Sequence, residues 1–192
     1  MIHLKIIPHS LPLHQRFQEL AKDDDVATRI PYLSHPCTMA SVDSLLGSIQ
    51  GQFGLFKTLG IFQDHKLVGA IQSAEGHPLY HDVAEADRFK ASSMIPKGEF
   101  NDPRLKILNI NFWIGKEYWG QGITTKALGL FLKHLRSQRS PSERVYLVGE
   151  HSHNHPIAGK ILKRNGMTPV LEYEREWDGE SLLTVRYERV LG

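Results

Sequence analysis

One stretch decides how this chain folds: Trp113-Ile114-Gly115-Lys116-Glu117-Tyr118-Trp119-Gly120-Gln121-Gly122-Ile123-Thr124-Thr125-Lys126-Ala127. The apolar run Leu105–Gly115 that leads into it predicts a buried strand, and the apolar stripe that follows predicts a long amphipathic helix. Between them, Gly120 and Gly122 have no Cβ, so the backbone can curl closely there. The first N–H groups and the positive dipole end of a helix favour phosphate. The unit therefore predicts a pyrophosphate site made by backbone amides.

The glycine pair alone is a weak signal. It lacks the third glycine of a dinucleotide-binding fingerprint and the Gly-Lys-Ser/Thr ending of a phosphate-binding loop of the NTPase type. The pair is also typical of a plain turn that joins a strand to a helix. The rest of the sequence has to decide between these two interpretations.

Patterns elsewhere predict a mixed α/β chain. A long helix follows the glycine turn, and a helix opened by Pro156 ends at Asn165-Gly166, with proline at the start and glycine at the stop. Further strands are predicted at Leu4–Ile7, Leu55–Phe62, Lys66–Ser73, Val145–Val148, Met167–Trp177 and Leu182–Val190, and further helices at Leu13–Ala21, Val26–Ile30 and Ser41–Ile49. Gln63-Asp64-His65 and Asp178-Gly179-Glu180 are predicted to form hairpin turns.

The segment 76–103 interrupts this regular order. It mixes Gly, Pro, His and charged residues, with one helical stretch near Val83–Lys90. A connection of this length inside a compact domain is usually a lid, a binding loop or a disordered insert. We therefore predict a mobile, lid-like insert that borders the acceptor side. Its candidate acceptor contacts are Tyr80, His81, Arg88 and Phe89.

Composition limits the class of protein. The 192 residues with 41% hydrophobic content suit a single domain, residues 1–192. A net charge of +2, from 23 basic and 21 acidic residues, gives no overall attraction to nucleic acid or to a membrane surface. Cys37 is the only cysteine, which excludes an intramolecular disulfide. Without an apolar signal stretch at the start, or any run of about 20 apolar residues, a cytoplasmic protein is expected.

With these elements around it, the glycine stretch resembles the acetyl-CoA motif of the GNAT superfamily of acetyltransferases. The resemblance is closest to the branch that acetylates the N-termini of ribosomal proteins, although Glu117 stands where the superfamily prefers Gln or Arg. A second block also resembles that branch, with Asn154-His155-Pro156-Ile157-Ala158 followed by Lys163-Arg164-Asn165-Gly166-Met167. Counting back from Gly166 places His155, not Asn154, on the expected Asn position.

The resemblance implies a fold and a cosubstrate. The expected fold is a mixed, mostly antiparallel sheet of about seven strands, splayed in the middle and flanked by helices. Acetyl-CoA would be the cosubstrate, with its pantetheine amides paired to backbone groups of Phe112, Trp113 and Ile114. The N–H near Phe112 would also polarise the thioester carbonyl. The remaining residues expected at acetyl-CoA are Trp119, Gly120, Gln121, Gly122, Ile123, Thr124, Asn154 and His155.

The resemblance also suggests Glu150 as the general base, since several N-terminal acetyltransferases keep a catalytic Glu at this place. The tyrosine that usually serves as general acid is replaced by Leu162, so no acid is assigned. The run His151-Ser152-His153-Asn154-His155 could hold a metal or supply an alternative base. Nothing offers an obvious fourth ligand and acetyl transfer needs no metal, so no metal is expected.

Three functions remain open from the sequence. The favoured one is acetylation of the N-terminal α-amine of a protein. The second is acetylation of a small-molecule amine, such as a polyamine or an aminoglycoside. The third is a catalytically silent module that binds CoA, which the missing tyrosine favours.

Overall fold

The structure is a computed structural model that describes residues 1–27, 30, 33, 36–47, 56–75, 93–177 and 180–191. Its strands are β1 (Ile2–Ile6), β2 (Phe56–Gln63), β3 (Lys66–Glu75), β4 (Leu105–Ile114), β5 (Arg144–Ser152), β6 (Thr168–Trp177) and β7 (Glu180–Leu191). Its helices are α1 (Leu11–Ala21), α2 (Asp24–Ala27), α3 (Met39–Gly47), α4 (Ile123–Gln138) and α5 (Pro156–Arg164). Short 3-10 turns occur at Lys97–Glu99 and Lys116–Tyr118.

The strands form one sheet of seven, in the order β1-β2-β3-β4-β5-β7-β6. Strands β4 and β5 run parallel, with a register from Leu105 opposite Arg144 to Ile110 opposite Gly149. The pairs β1–β2, β2–β3, β5–β7 and β6–β7 are antiparallel. The sheet thus has the number of strands and the mostly antiparallel order that the sequence predicts. The predicted splay of its middle strands stays a prediction.

Most element boundaries fall within a few residues of those expected. The β2–β3 hairpin turns at Asp64 and His65, whose φ angles of 47° and 71° lie in the left-handed region typical of tight hairpins. Strand β5 is longer than predicted, because its pairing with β7 continues to Ser152 opposite Thr184. Glu150 therefore lies inside a paired strand and not beyond its end. The helix expected near 83–90 lies outside the described residues.

Two compact units make up the fold. The first consists of residues 1–74 and 111–134, and the second of 75–110 and 135–192. In the first unit, buried side chains of α1 and α3 pack with those of β2, β3 and the end of β4. Phe17 contacts Trp113 edge-on, with 4.7 Å between ring centroids. The expectation of a single domain stays a prediction.

In the second unit, the described end of the predicted insert belongs to the core. Ile95 is only 2% exposed and packs with Ile107, Tyr146 and Val148. The neighbouring backbone is held as well, because Met94 N–H donates to Glu188 Oε2 at 2.7 Å. Residues 76–92, with the candidate contacts Tyr80, His81, Arg88 and Phe89, lie outside the described residues. The lid-like character of the insert stays a prediction that now concerns those residues.

Among the described helices, none combines the length and the apolar character needed to span a bilayer.

Candidate active site

The end of β4 presents its backbone groups alternately to its two edges. Gly115 N–H donates to the carbonyl of Val68 on β3 at 2.9 Å. Because successive residues of a strand alternate, Trp113 also faces β3, whereas Phe112 and Ile114 direct their backbone groups to the opposite edge. Trp113 is 3% exposed, with its side chain in the core. Of the three residues expected to pair with pantetheine, Phe112 and Ile114 have the suitable direction.

Two local hydrogen bonds already engage this edge of β4. Phe112 N–H donates to the side-chain oxygen of Asn111 at 2.8 Å. The indole Nε1 of Trp119 donates to the carbonyl of Ile114 at 2.9 Å, which ties the following turn to the strand. The Phe112 N–H, which is expected to polarise the thioester, is thus hydrogen-bonded to Asn111. The Asn111 side chain would have to turn away before this N–H could bind the thioester oxygen. Sequence patterns gave no sign of this role for Asn111.

The glycine turn after β4 has the shape of an anion cradle. Gly120 and Gly122 have φ angles of +75° and +70°, and apart from their chain neighbours no heavy atom of the described residues lies within 4 Å of where a Cβ would stand on either residue. Left-handed glycines next to a helix start aim successive N–H groups at one point, which suits a phosphate. The residues present therefore fit the pyrophosphate of acetyl-CoA.

Helix α4 continues the cradle with backbone groups only. Its first helical hydrogen bond joins Lys126 N–H to the carbonyl of Gly122 at 3.2 Å. The N–H groups of residues 123–125 therefore come before the first hydrogen bond of the helix backbone. The side chains of Ile123 and Thr124 are buried, with 4% and 8% exposure. These two residues can therefore serve an anion through their amides. Gln121 braces the turn by donating from its side chain to the carbonyl of Glu117 at 3.2 Å.

A cleft of about 540 Å³ opens beside this turn within the first unit. It is lined by Met1, Ile2, Gln63, Gln121, Ile123, Lys126, Gly129 and Leu130. The side chain of Lys126 therefore places a cation on the wall of this cleft.

Charged side chains of α1 and α2 hold the residues just before the glycines. Arg16 on α1 donates to Glu117 Oε1 at 3.0 Å and to the hydroxyl of Tyr118 at 3.1 Å. Lys116 donates to Asp25 of α2 at 2.6 Å, and this bond raises the pKa of Lys116. These contacts join parts of the chain that are far apart in sequence, so the sequence patterns did not reveal them.

Glu150 is held by donors from two neighbouring strands of the second unit. Its Oε1 accepts hydrogen bonds from the hydroxyl of Tyr173 at 2.8 Å and from Nε of Arg186 at 3.0 Å. Its Oε2 accepts a hydrogen bond from Arg175 at 3.1 Å. Burial and the nearby Glu150 carboxylate raise the pKa of Tyr173, so its hydroxyl stays protonated and donates. The sequence pointed to Glu150 but to none of its partners.

The histidine run does not form a common ligand set. His151 is half-buried against α5, where a Cβ on Gly159 would lie 2.4 Å from its Nε2. His153 lies 3.8 Å from the exposed Glu172. The backbone N–H of His155 donates to the carbonyl of Ser152, and Asn154 is exposed in the turn before α5. Within the described ranges, no group of three or more His, Cys, Asp or Glu side chains is arranged to hold a metal ion.

Comparisons with known proteins identify the family of the chain. A family model described as an acetyltransferase (GNAT) domain matches residues 12–168. A comparison with curated protein sequences gave no match.

Several solved structures share the fold. The RimL ribosomal L7/L12 alpha-N-protein acetyltransferase in complex with coenzyme A has a TM-score of 0.70 at 15% identity, covering 99% of this chain and 94% of that chain. An acetyl transferase from Salmonella typhimurium that modifies the N-terminal serine of L7/L12 has a TM-score of 0.68 at 15% identity, covering 100% and 95%. The microcin C7 self immunity acetyltransferase MccE, in complex with acetyl-CoA and AMP, has a TM-score of 0.67 at 15% identity, covering 99% and 92%. At such identities the likeness shows the fold, and it confirms the predicted fold class.

Proposed function

Because this chain belongs to the GNAT family of acetyltransferases, we propose that it acetylates the N-terminal α-amine of a protein. The family assignment confirms the acetyltransferase activity that the sequence predicts, and with it acetyl-CoA as the cosubstrate. Acetyl-CoA supplies a thioester carbonyl that an amine can attack. The acceptor and the residues that serve it are the proposed part.

The proposed cosubstrate contacts are backbone groups on either side of the glycine turn. Ile114 and Phe112 offer N–H and C=O groups at the edge of β4 that faces away from β3. The amides from Gly120 to Thr124 bind the pyrophosphate, because both glycines have left-handed φ angles and open space in front of them. The Phe112 N–H donates to the thioester oxygen once the Asn111 side chain has turned away. Removing one such donor typically costs about 3 kcal/mol of barrier.

The observation that carries the choice of acceptor is the setting of Glu150. Its side chain is 16% exposed, so water can reach the carboxylate, while Tyr173, Arg175 and Arg186 fix its orientation. We assign it as a general base that takes the amine proton through a bound water. Asn154 and His155 stand at the start of α5 in the same unit and are kept as further cosubstrate contacts.

The protonation of the amine sets how strong that base must be. An α-amine has an unperturbed pKa of about 7.7–8.0, so roughly a tenth of it is neutral at pH 7. A lysine side chain, with a pKa of about 10.4, has only about one molecule in a few thousand neutral. The difference corresponds to about 3 kcal/mol, and a single carboxylate acting through water therefore suits an α-amine better. Two of the similar structures are of enzymes that modify the N-terminus of L7/L12, which supports the same acceptor class.

The proposal is tested by thiol release from acetyl-CoA with matched acceptors. One peptide carries a free N-terminal serine and an internal lysine, and its partner differs only in an acetylated N-terminus. Release with the first peptide alone is expected. Turnover with a polyamine or an aminoglycoside only would indicate that the acceptor is a small-molecule amine and not a protein. Thermal stabilisation by acetyl-CoA without turnover on any amine would indicate a binding module.

A further inference from the structure

Glu117 places a carboxylate at the start of the turn that is proposed to hold a pyrophosphate. Its side chain folds back over the preceding backbone, since a Cβ on Gly115 would lie 2.9 Å from Glu117 Oε2. The side chain is 54% exposed. An uncompensated negative charge at this place would repel a bound pyrophosphate. A cation that neutralises it would therefore favour binding.

Arg16 supplies that cation from α1. Its guanidinium donates to Glu117 Oε1 at 3.0 Å and to the hydroxyl of Tyr118 at 3.1 Å. Two further bonds, to the carbonyl of Leu67 at 3.4 Å and to Glu19 at 3.2 Å, fix its orientation. Arg16 thus contacts β3, its own helix and the turn together. A side chain bonded on so many sides has little freedom left to lose when the turn is occupied.

The same end of the turn is docked on α1 and α2 by two other contacts. Gly115 lies against α1, because a Cβ there would stand 2.4 Å from Leu20 Cδ2 and would force that side chain to move. The Nζ of Lys116 lies 2.6 Å from Oδ2 of Asp25 and 3.4 Å from Oδ2 of Asp23. The backbone that enters the cradle is therefore positioned by apolar contact on one side and by ion pairs on the other.

We propose that Arg16 is a positioning residue that acts on the pyrophosphate turn by neutralising the Glu117 carboxylate, so that a side chain of α1 sets the affinity for acetyl-CoA. The inference rests on the pyrophosphate contact proposed above for Gly120–Thr124. A neutralising role can be distinguished from a packing role. If Arg16 acts by neutralisation, the affinity for CoA falls in its absence because the Glu117 carboxylate is left without a counter-ion. Removing that carboxylate as well should restore the affinity for CoA.

The test is a mutant cycle measured by calorimetry with CoA. Arg16→Met is expected to weaken CoA binding about five- to tenfold, with kcat at saturating acetyl-CoA unchanged. Glu117→Gln alone should bind CoA as tightly as the wild type or more tightly. The double variant should return to within about twofold of the wild type. Arg16→Lys keeps the charge but replaces the guanidinium fork by a flexible ammonium, so its loss of affinity should be smaller than that of Arg16→Met. Arg104→Met, which breaks an exposed ion pair with Asp102 in the second unit, is the matched control.

Two results would overturn the inference. One is wild-type CoA affinity in folded Arg16→Met, or in Arg16→Gln should the methionine variant not fold. The other is a loss in Arg16→Met that Glu117→Gln does not repair, as expected of a merely structural role. Gly122→Asp distinguishes a failure of the proposed pyrophosphate contact from a failure of the proposed role of Arg16. Wild-type affinity in that variant would refute the pyrophosphate contact itself, whereas loss there with no effect of Arg16 refutes only the positioning role.

Discussion

Glu150 of β5 lies directly opposite Arg186 of β7, and its Oε1 accepts a 3.0 Å hydrogen bond from the Nε of that guanidinium. The Arg186 side chain is 1% exposed, so its guanidinium is shielded from water, whereas the Glu150 side chain is 16% exposed. Removing one partner of such a pair leaves the other charge buried without its counter-ion, which typically costs 3–5 kcal/mol, roughly. The residue proposed as general base is therefore also structural, and tests of its role must separate the two effects.

Glu150→Gln is expected to lower kcat by about 10²–10⁴-fold at neutral pH, the usual contribution of a positioned base. The loss should shrink as pH rises, because more of the acceptor amine is then already neutral. The measurement is a pH–rate profile on protein shown to be folded, together with the affinity for acetyl-CoA, which should change little. Arg175→Gln disturbs the same network while keeping the carboxylate, so an equal loss there would assign the effect to structure. A profile that overlays the wild type would move attention to His151 or His153.

Gly122→Asp and Gly120→Glu are each expected to abolish acetyl-CoA binding in a folded protein. Each substitution puts a carboxylate where a pyrophosphate has to meet bare amides, and each places a side chain on a left-handed backbone. Calorimetry with acetyl-CoA and a thermal melt measure the two effects. Gly98→Asp is the matched control, since a Cβ there also meets open space but no left-handed φ is required. Unchanged affinity in both cradle variants would contradict the proposed contact.

Glu188 should make the second unit less stable as pH rises. Burial raises the pKa of this carboxyl above 4.5, and its Oε1 has no hydrogen-bond partner among the described residues. Above pH 4.5 the unfolded chain releases the proton while the folded chain retains it, so stability falls until the raised folded pKa has been passed.

The measurement for Glu188 is the difference in Tm between the wild type and Glu188→Gln. We expect the Tm of the wild type to fall relative to that of the variant as pH rises above 4.5, until the raised pKa of Glu188 in the folded chain has been passed. Glu174→Gln, which neutralises an exposed carboxylate, serves as the control. A constant difference across this range would show that Glu188 does not titrate with folding.

The insert should tolerate a partial deletion but not a complete one. Replacing residues 76–92 by a short linker keeps Ile95 in the core and keeps the bond from Met94 to Glu188. Deleting 76–103 removes both and should unfold the second unit, because burying Ile95 contributes about 2–5 kcal/mol. Circular dichroism distinguishes the two deletions. If the partial deletion leaves kcat/KM for the true acceptor unchanged, the insert does not border the acceptor.

The sequence by itself determined the features that depend on neighbours along the chain. The glycine turn between β4 and α4, the Pro156 start of α5 and its stop at Gly166 with φ +72° all lie where the sequence patterns place them. They could be predicted because a backbone conformation or a helix end depends on a few adjacent residues. The number of strands and the mostly antiparallel character of the sheet followed from the family resemblance, whereas the strand order came from the structure.

Only the tertiary structure decided which charges meet. Arg16 and Glu117 are 101 positions apart, and Tyr173 and Arg186 reach Glu150 from 23 and 36 positions away. Alternation along β6 and β7 shows that such side chains share a face, but not which neighbour they contact, since strand register fixes the pairing. The hydrogen bond between Asn111 and Phe112 was also not predicted, although the two residues are adjacent. A side-chain torsion brings the Oδ1 of Asn111 to the Phe112 N–H, and a sequence pattern does not show that torsion. Local conformation is set by adjacent residues, whereas the partners of a charge are set by the sheet that brings distant residues together.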